Sequence, residues 1–314
     1  MSASGYERGF NIPSWSEDGY ANAGFKKSLR ELKICGADSA ALVPTWHQKN
    51  IFSSRICRTT RTASDASLAE AIEKARSLGF KLMLKPHLEV EDGSFRASIF
   101  PFARNEWFKS YAEMILHYAG ISREFEIERL CIGTELPIMM HGNWTHHIIK
   151  EIRSVYCGEI TFAVNWYALR RPGFWHLLDY IGVDFYASLA LRDGDDDYAR
   201  NLEPWLERIE EVSKEYKKPV ILTEIGYRSF EGAARRPWDW KSRGRSDQEL
   251  QAKCYRTFLE AVEQRPWLKA VYFWLWNLNP ADITATGYSP QGKEAEKVLR
   301  KFWCEGKMNR RPYK

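Results

Sequence analysis

Eight times along this chain a short apolar run of buried-strand character is followed by a stretch with helical spacing. That alternation constrains the fold more than any other feature, because strand-then-helix units place their strands side by side in one parallel sheet. The runs at 9–12, 39–43, 81–84 and 129–132 open the first four units. Their helices are expected at 23–35, 68–78, 107–118 and 145–156, each closed by a glycine at position 36, 79, 120 or 158. The second half repeats the plan, with strands at 160–164, 180–185, 220–222 and 270–276 and helices at 173–178, 202–216, 247–264 and 293–303. A doubly wound open sheet would carry a glycine-rich phosphate turn after its first strand, and Asn11-Ile-Pro-Ser-Trp15 offers none. The expected fold is therefore a single (β/α)8 TIM barrel over residues 8–304, with flexible termini at 1–7 and 305–314 and a site at the C-terminal ends of the strands. A chain of 314 residues is compatible with one such domain.

The strand ends carry the chemistry. Strand seven, in Pro219-Val-Ile-Leu-Thr-Glu224, is greasy until it terminates in a carboxylate, and strand four ends the same way in Gly133-Thr-Glu135. In an eight-membered ring those two carboxylates can face each other across the mouth. Around them stand Asn11, Trp46, His47, His87, Asn165, Trp166, Tyr186, Trp274 and Trp276. With thirteen Trp, fifteen Tyr and sixteen Phe, the chain has flat apolar surface beyond the usual needs of a core, of the kind on which the C–H faces of sugar rings stack. Two carboxylates flanking a glycosidic bond are what its hydrolysis requires: one protonates the leaving oxygen, while the other attacks the anomeric carbon or activates water.

Other classes are poorly served. The net charge of +5 is spread along the chain rather than gathered into a stripe, so no nucleic-acid partner is expected. No window approaches the unbroken apolar length of a membrane span. The six cysteines are far apart, form no C-x-x-C pair and read as free, buried thiols. His141, His146 and His147 lack metal-ligand spacing, so no metal and no other cofactor is expected. Residues 1–8 have no apolar signal core, which implies a cytoplasmic protein as the chain stands, or a secreted one whose leader has been removed.

The ordered series Val43-Pro-Thr-Trp-His-Gln48, Lys85-Pro-His87, Phe95-Arg96, Ile132-Gly-Thr-Glu-Leu136, Asn165-Trp166, Asp179-Tyr-Ile-Gly-Val-Asp-Phe-Tyr186, Leu222-Thr-Glu-Ile-Gly-Tyr227, Pro237-Trp238 and Tyr288-Ser-Pro-Gln-Gly-Lys293 resembles glycoside hydrolase family 113. Those are retaining β-mannanases of the clan whose acid/base lies on strand four and nucleophile on strand seven. The resemblance covers about residues 8–303. It implies an endo-β-1,4-mannanase acting on β-mannan, glucomannan or manno-oligosaccharides, with Glu135 as acid/base and Glu224 as nucleophile. It also implies a supporting tyrosine at Tyr186, a sugar platform at Trp276 or Trp274, sugar contacts from His87 and Asn165, and outlying subsites at Trp46, Arg96 and Trp238. Most of the clan has Asn before the acid/base; here that place holds Thr134, which favours the mannanase family over a generic assignment. Another β-glycosidase of the clan, acting on β-glucan, xylan or oligosaccharides, and a sugar-binding barrel without catalysis are the alternatives.

Overall fold

The computed structural model describes residues 5–140 and 142–304. Of the termini expected to be flexible at 1–7 and 305–314, residues 1–4 and 305–314 lie outside the described residues, as does His141, while the first strand already begins at Glu7.

Eight parallel strands close into a barrel. They are β1 (Glu7–Pro13), β2 (Ser39–Val43), β4 (Lys81–Leu84), β6 (Arg129–Thr134), β7 (Glu159–Asn165), β8 (Tyr180–Asp184), β9 (Val220–Ile225) and β10 (Leu268–Phe273), ordered β1-β10-β9-β8-β7-β6-β4-β2 round the ring. Each strand is buried on both faces, so its apolar residues run on without alternation. Inside the ring, Ala41, Met83, Cys131, Ala163, Tyr180, Ile221, Ala270 and Tyr272 form a small packed core of their own. Outside it a larger apolar layer lies between strands and helices. Gly133 shows how close the packing is: a Cβ there would stand 2.2 Å from the Phe162 ring.

The helices are α1 (Ala23–Ile34), α2 (Asp65–Ser77), α3 (Arg104–Glu124), α4 (Trp144–Val155), α5 (Tyr198–Tyr216) and α6 (Gln248–Val262) in the crossovers, and α7 (Glu294–Cys304) after the last strand. Local chemistry sets several starts. Ser64 accepts from the Ser67 N–H at 3.2 Å and Asp247 from the Leu250 N–H at 2.8 Å, each satisfying an otherwise unpaired donor of the first turn. The fifth crossover departs from expectation. Between β7 and β8 only two short 3-10 turns form, Trp166–Ala168 and Trp175–Leu177. Pro172 and Gly173 lie between them, and both residue types disfavour a continuous helix.

Two further strands stand above the ring. Pro44 and Pro86 lack the N–H that a ladder needs, so β2 and β4 stop there. The chain then resumes as β3 (Thr45–Gln48) and β5 (His87–Val90), paired parallel to each other with Thr45 opposite His87 and His47 opposite Glu89. This small ladder carries His87 and Glu89 over the barrel mouth.

The cysteines are all free, but only Cys35, Cys131 and Cys254 are buried; Cys57, Cys157 and Cys304 are exposed, contrary to the expectation of six buried thiols. Among the described residues no helix is long and apolar enough to cross a membrane.

Candidate active site

Glu224 leaves the core near the end of β9 and is 5% exposed. Its Oε1 meets the Lys85 ammonium, which arrives from the residue after β4, and lies 3.4 Å from Nε2 of His87. Its Oε2 accepts from the Tyr186 hydroxyl at 2.8 Å. Burial opposes the charge, but the Lys85 ammonium and the His87 contact outweigh it and hold Glu224 well below the usual carboxylate range.

Glu135 follows β6 and is 9% exposed. Its backbone sits in the left-handed region at φ 53°, where a non-glycine residue costs on the order of 1–3 kcal/mol. Its N–H bonds to the Ala163 carbonyl at 3.0 Å, tying the turn to β7. The nearest cation, Nη1 of Arg96, is 3.9 Å from Oε2. Burial, and then the negative charges of Asp184 and Glu224, push the Glu135 carboxyl up to about 8, with Arg96 offsetting only part. One mouth thus holds two carboxyls of opposite tendency, one ionised and one protonated at neutral pH.

The rest of the centre is a charged lattice. Arg96 donates to Oε1 of Glu89 at 2.5 Å and stands 3.0 Å from Nδ1 of His87, and Glu89 is held down at about 2 because Arg96 overcomes the cost of its burial. Lys85 stands 3.0 Å from His87 Nε2 and 3.6 Å from Oδ1 of the buried Asp184, the last residue of β8. Burial and the charges of Lys85 and Arg96 keep His87 neutral. The imidazole therefore accepts from one of its two cations and turns its remaining N–H toward Glu224 or Glu89. Its face stacks on Trp274 with ring centres 5.6 Å apart and planes 5° apart.

Several expected placements change. His87 has both nitrogens engaged by protein side chains and acts as a buried spacer under Glu224, not as a free sugar contact. Arg96, expected at an outlying subsite, instead reaches the centre of the mouth. Trp46 faces away from it: the β3/β5 register puts Trp46 beside Leu88, on the face opposite His87 and Glu89, and its indole donates to the Tyr118 hydroxyl of α3 at 3.0 Å. Trp276 is 1% exposed, packs edge-on to Phe10 and donates to Ser28, so it is core and offers no platform. The β10 strand ends at Phe273, and the face alternation that would align Trp274 with Trp276 ends with it. Trp274 is partly exposed and next to His87, which leaves it as the indole at the mouth. Trp238 is 44% exposed and stacks on Trp166 at 5.6 Å, and Trp166 lies 6.5 Å from Tyr186, so this pair continues the mouth outward. Asn165 ends β7 opposite Asp184 and is nearly buried.

Lys85, Asp184 and Glu89 were not singled out from the sequence. Their signal was of the same kind as that of Glu224: a charged residue where an apolar strand ends, in Leu84-Lys85-Pro86 and Val183-Asp184-Phe185. Among the described residues no group of three or more His, Cys, Asp or Glu side chains is arranged to hold a metal ion.

The profile of glycoside hydrolase family 113 matches residues 12–293. Among solved structures, a complex of a family 113 β-1,4-mannanase is 27% identical, with 94% of this chain and 97% of that one aligned at a TM-score of 0.86. A second structure of a family 113 β-1,4-mannanase aligns over 96% of this chain and 99% of that one at 26% identity and a TM-score of 0.86. The β-mannanase of Alicyclobacillus acidocaldarius in complex with ManMIm is 25% identical over 95% of this chain and 97% of that one, at a TM-score of 0.87. A β-glucuronidase from Ruminococcus gnavus, at 13% identity over 95% of this chain and 49% of that one with a TM-score of 0.63, shares the fold alone. No curated protein sequence matches the chain.

Proposed function

The chain belongs to glycoside hydrolase family 113, and from that premise we propose that it is a retaining endo-β-1,4-mannanase in which Glu224 is the nucleophile and Glu135 the acid/base. Glycoside hydrolysis is common to the family; the mannan substrate, the endo action and the residue roles are our own assignment. One observation carries the roles: Glu224 is ion-paired to Lys85 and bonded to Tyr186, whereas Glu135 has, among the described residues, only the Arg96 cation at 3.9 Å as an ion-pair partner. A nucleophile must be ionised and an acid must keep its proton, and the two environments divide in that sense.

In the first step an oxygen of Glu224 bonds to the anomeric carbon as the bond to the leaving oxygen breaks, and Glu135 gives that oxygen its proton. The product is a glycosyl ester on Glu224 and a carboxylate at Glu135. In the second step Glu135 takes a proton from water, the water oxygen bonds to the anomeric carbon and the ester bond breaks, returning the electron pair to Glu224. Tyr186, donating to Oε2, holds the carboxylate at a fixed angle. Trp274 supplies a flat face beside the reacting sugar, Asn165 offers an amide to its hydroxyls, and Trp238 on Trp166 extends the chain-binding surface.

Mannan as substrate is supported by the solved family members, which are β-mannanases. The test is reducing-sugar release from mannan, glucomannan, cellulose and xylan, with product lengths over time and the anomer of the first product read by proton NMR. Mannan preference, early mid-length products and a β-anomer are expected. Preference for cellulose or xylan would move the substrate to another β-glycan, an α-anomer would overturn retention, and binding without cleavage would make the barrel a sugar-binding protein.

A further inference from the structure

Two buried charges at the mouth take no part in attack or proton donation: Lys85 and Asp184. The Lys85 ammonium touches Oε1 of Glu224 and lies 3.6 Å from Oδ1 of Asp184. Thr223 donates to the same Asp184 oxygen at 2.8 Å, while Oδ2 of Asp184 is buried without a partner among the described residues. One ammonium therefore stands between two carboxylates, and one of those ceases to be an anion during turnover. Resting on the assignment of Glu224 as nucleophile, we propose that Lys85 and Asp184 are a positioning pair for the second chemical step. Asp184 keeps the Lys85 ammonium charged and seated while Glu224 is an ester, and Lys85 then receives the negative charge of the departing Glu224 carboxylate.

A cation held on a carboxylate makes it a weaker attacker and a better leaving group, so Lys85 favours breaking the ester over forming it. When the ester forms, the charge opposite Lys85 vanishes, and a fully buried ammonium without a counter-ion tends to lose its proton. The groups that face it are few. From β5, His87 is neutral and supplies no charge. From β6, the Cys131 thiol is pushed up to about 11 by burial and is also neutral. Asp184, from β8, is the carboxylate left within reach: burial and the Glu224 charge push it up to about 7 against Lys85, the Thr223 hydroxyl and Arg96, and ester formation, by removing the Glu224 charge, favours its ionised form. When the ester breaks, its electron pair returns to Glu224 directly before the Lys85 ammonium.

The test compares wild type with Asp184→Asn on dinitrophenyl β-mannobioside, whose good leaving group makes ester hydrolysis rate-limiting. Under that condition kcat reads the second step and kcat/KM the first. Expected for Asp184→Asn are a kcat lower by about tenfold or more, a kcat/KM within about threefold of wild type, and a burst of dinitrophenolate before the steady state. Its kcat should also fall with rising pH earlier than in wild type, because Lys85 without Asp184 gives up its proton sooner in the ester state, while the kcat/KM profile stays in place. Thr223→Val, which removes only the hydroxyl on Asp184, should show the same split at smaller size and carries the test if Asp184→Asn does not fold. Parallel loss of kcat and kcat/KM, or an unchanged kcat, overturns the proposal. Trapping with the corresponding fluorosugar inactivator, followed by peptide mass analysis, separates the two levels. An ester on Glu224 with a parallel loss sinks the Lys85–Asp184 pair alone; an ester on another residue, or none, sinks the nucleophile assignment and this proposal with it.

Discussion

The two ends of the barrel both bury ionised side chains, and they balance them in opposite ways. At the floor, Arg129 reaches Glu7 at 3.2 Å and Glu159 at 2.8 Å, and Lys81 and Lys269 approach Glu7 at 3.2 and 3.5 Å. Three cations there serve two carboxylates, and the guanidinium also lies over the Tyr180 ring. At the mouth the carboxyls of Glu89, Glu135, Asp184 and Glu224 share, among the described residues, only Lys85 and Arg96, because His87 is neutral. Four acids against two cations in a desolvated space cannot all be ionised. A surplus of buried negative charge is thus relieved by keeping a proton: Glu135, with the most distant cation, is pushed up furthest, to about 8, and Asp184 follows at about 7. The floor uses charge to close the structure, whereas at the mouth the surplus of acids keeps a proton bound.

Variants can break that contrast at several levels. Removing the attacking charge with Glu224→Gln should lower kcat on the order of 10⁴-fold while the protein stays folded, as read by thermal melting beside activity. Near-normal turnover would remove Glu224 from the reaction. Glu135→Gln should cost about 10²–10⁴-fold on natural glycans and much less on an aryl glycoside whose leaving group needs no proton. With wild type, activity should fall as pH rises through the Glu135 value near 8, since the acid is then lost, and should persist well into the acid range because Glu224 ionises below the usual carboxylate values. The alkaline limb should be absent when Glu135→Gln acts on the aryl substrate; a limb that persists there belongs to another group.

At the floor the effect should be one of stability. Arg129→Met removes the guanidinium shared by Glu7 and Glu159, but Glu7 keeps Lys81 and Lys269 and Glu159 is partly solvated, so it should destabilise by about 1–3 kcal/mol in denaturant melts, with kcat per folded molecule retained. A kcat loss larger than the loss of folded protein would show that the two ends are coupled. The smallest effect belongs to the rim. Trp238→Ala should raise KM for long substrates by about two- to tenfold and leave the shortest cleaved substrate unchanged, whereas Trp46→Ala should alter stability without touching KM.

Most of the frame was legible in the chain because it rests on local rules. Eight apolar runs and seven of the eight helices were placed by periodicity, although α3 continues through Gly120, expected to close it, as far as Glu124, and a carboxylate at the end of a greasy strand was enough to mark Glu224 and Glu135 as candidates. The errors have physical causes. Trp46 was placed at the mouth because Pro44 was read as the end of a strand, yet the chain re-enters a second ladder whose register turns the indole outward. Trp276 was paired with Trp274 by alternation, but β10 ends at Phe273 and the next indole drops into the core against Phe10. The fifth helix, expected at 173–178 directly after Pro172-Gly173, is reduced to the 3-10 turn Trp175–Leu177.

By itself the sequence determined that this chain forms a parallel barrel and that two acids stand at the ends of its fourth and seventh strands. Hydrophobic period, turn residues and strand order are properties of neighbours along the chain, and they are written in it directly. Only the tertiary structure decided which charges share one desolvated space. Lys85, Arg96 and Asp184 come from strands and loops far apart in sequence, and Coulomb energy depends on distance and on the water excluded between charges. Those quantities exist only once the barrel has closed, and they keep one of two chemically identical acids ionised and the other protonated.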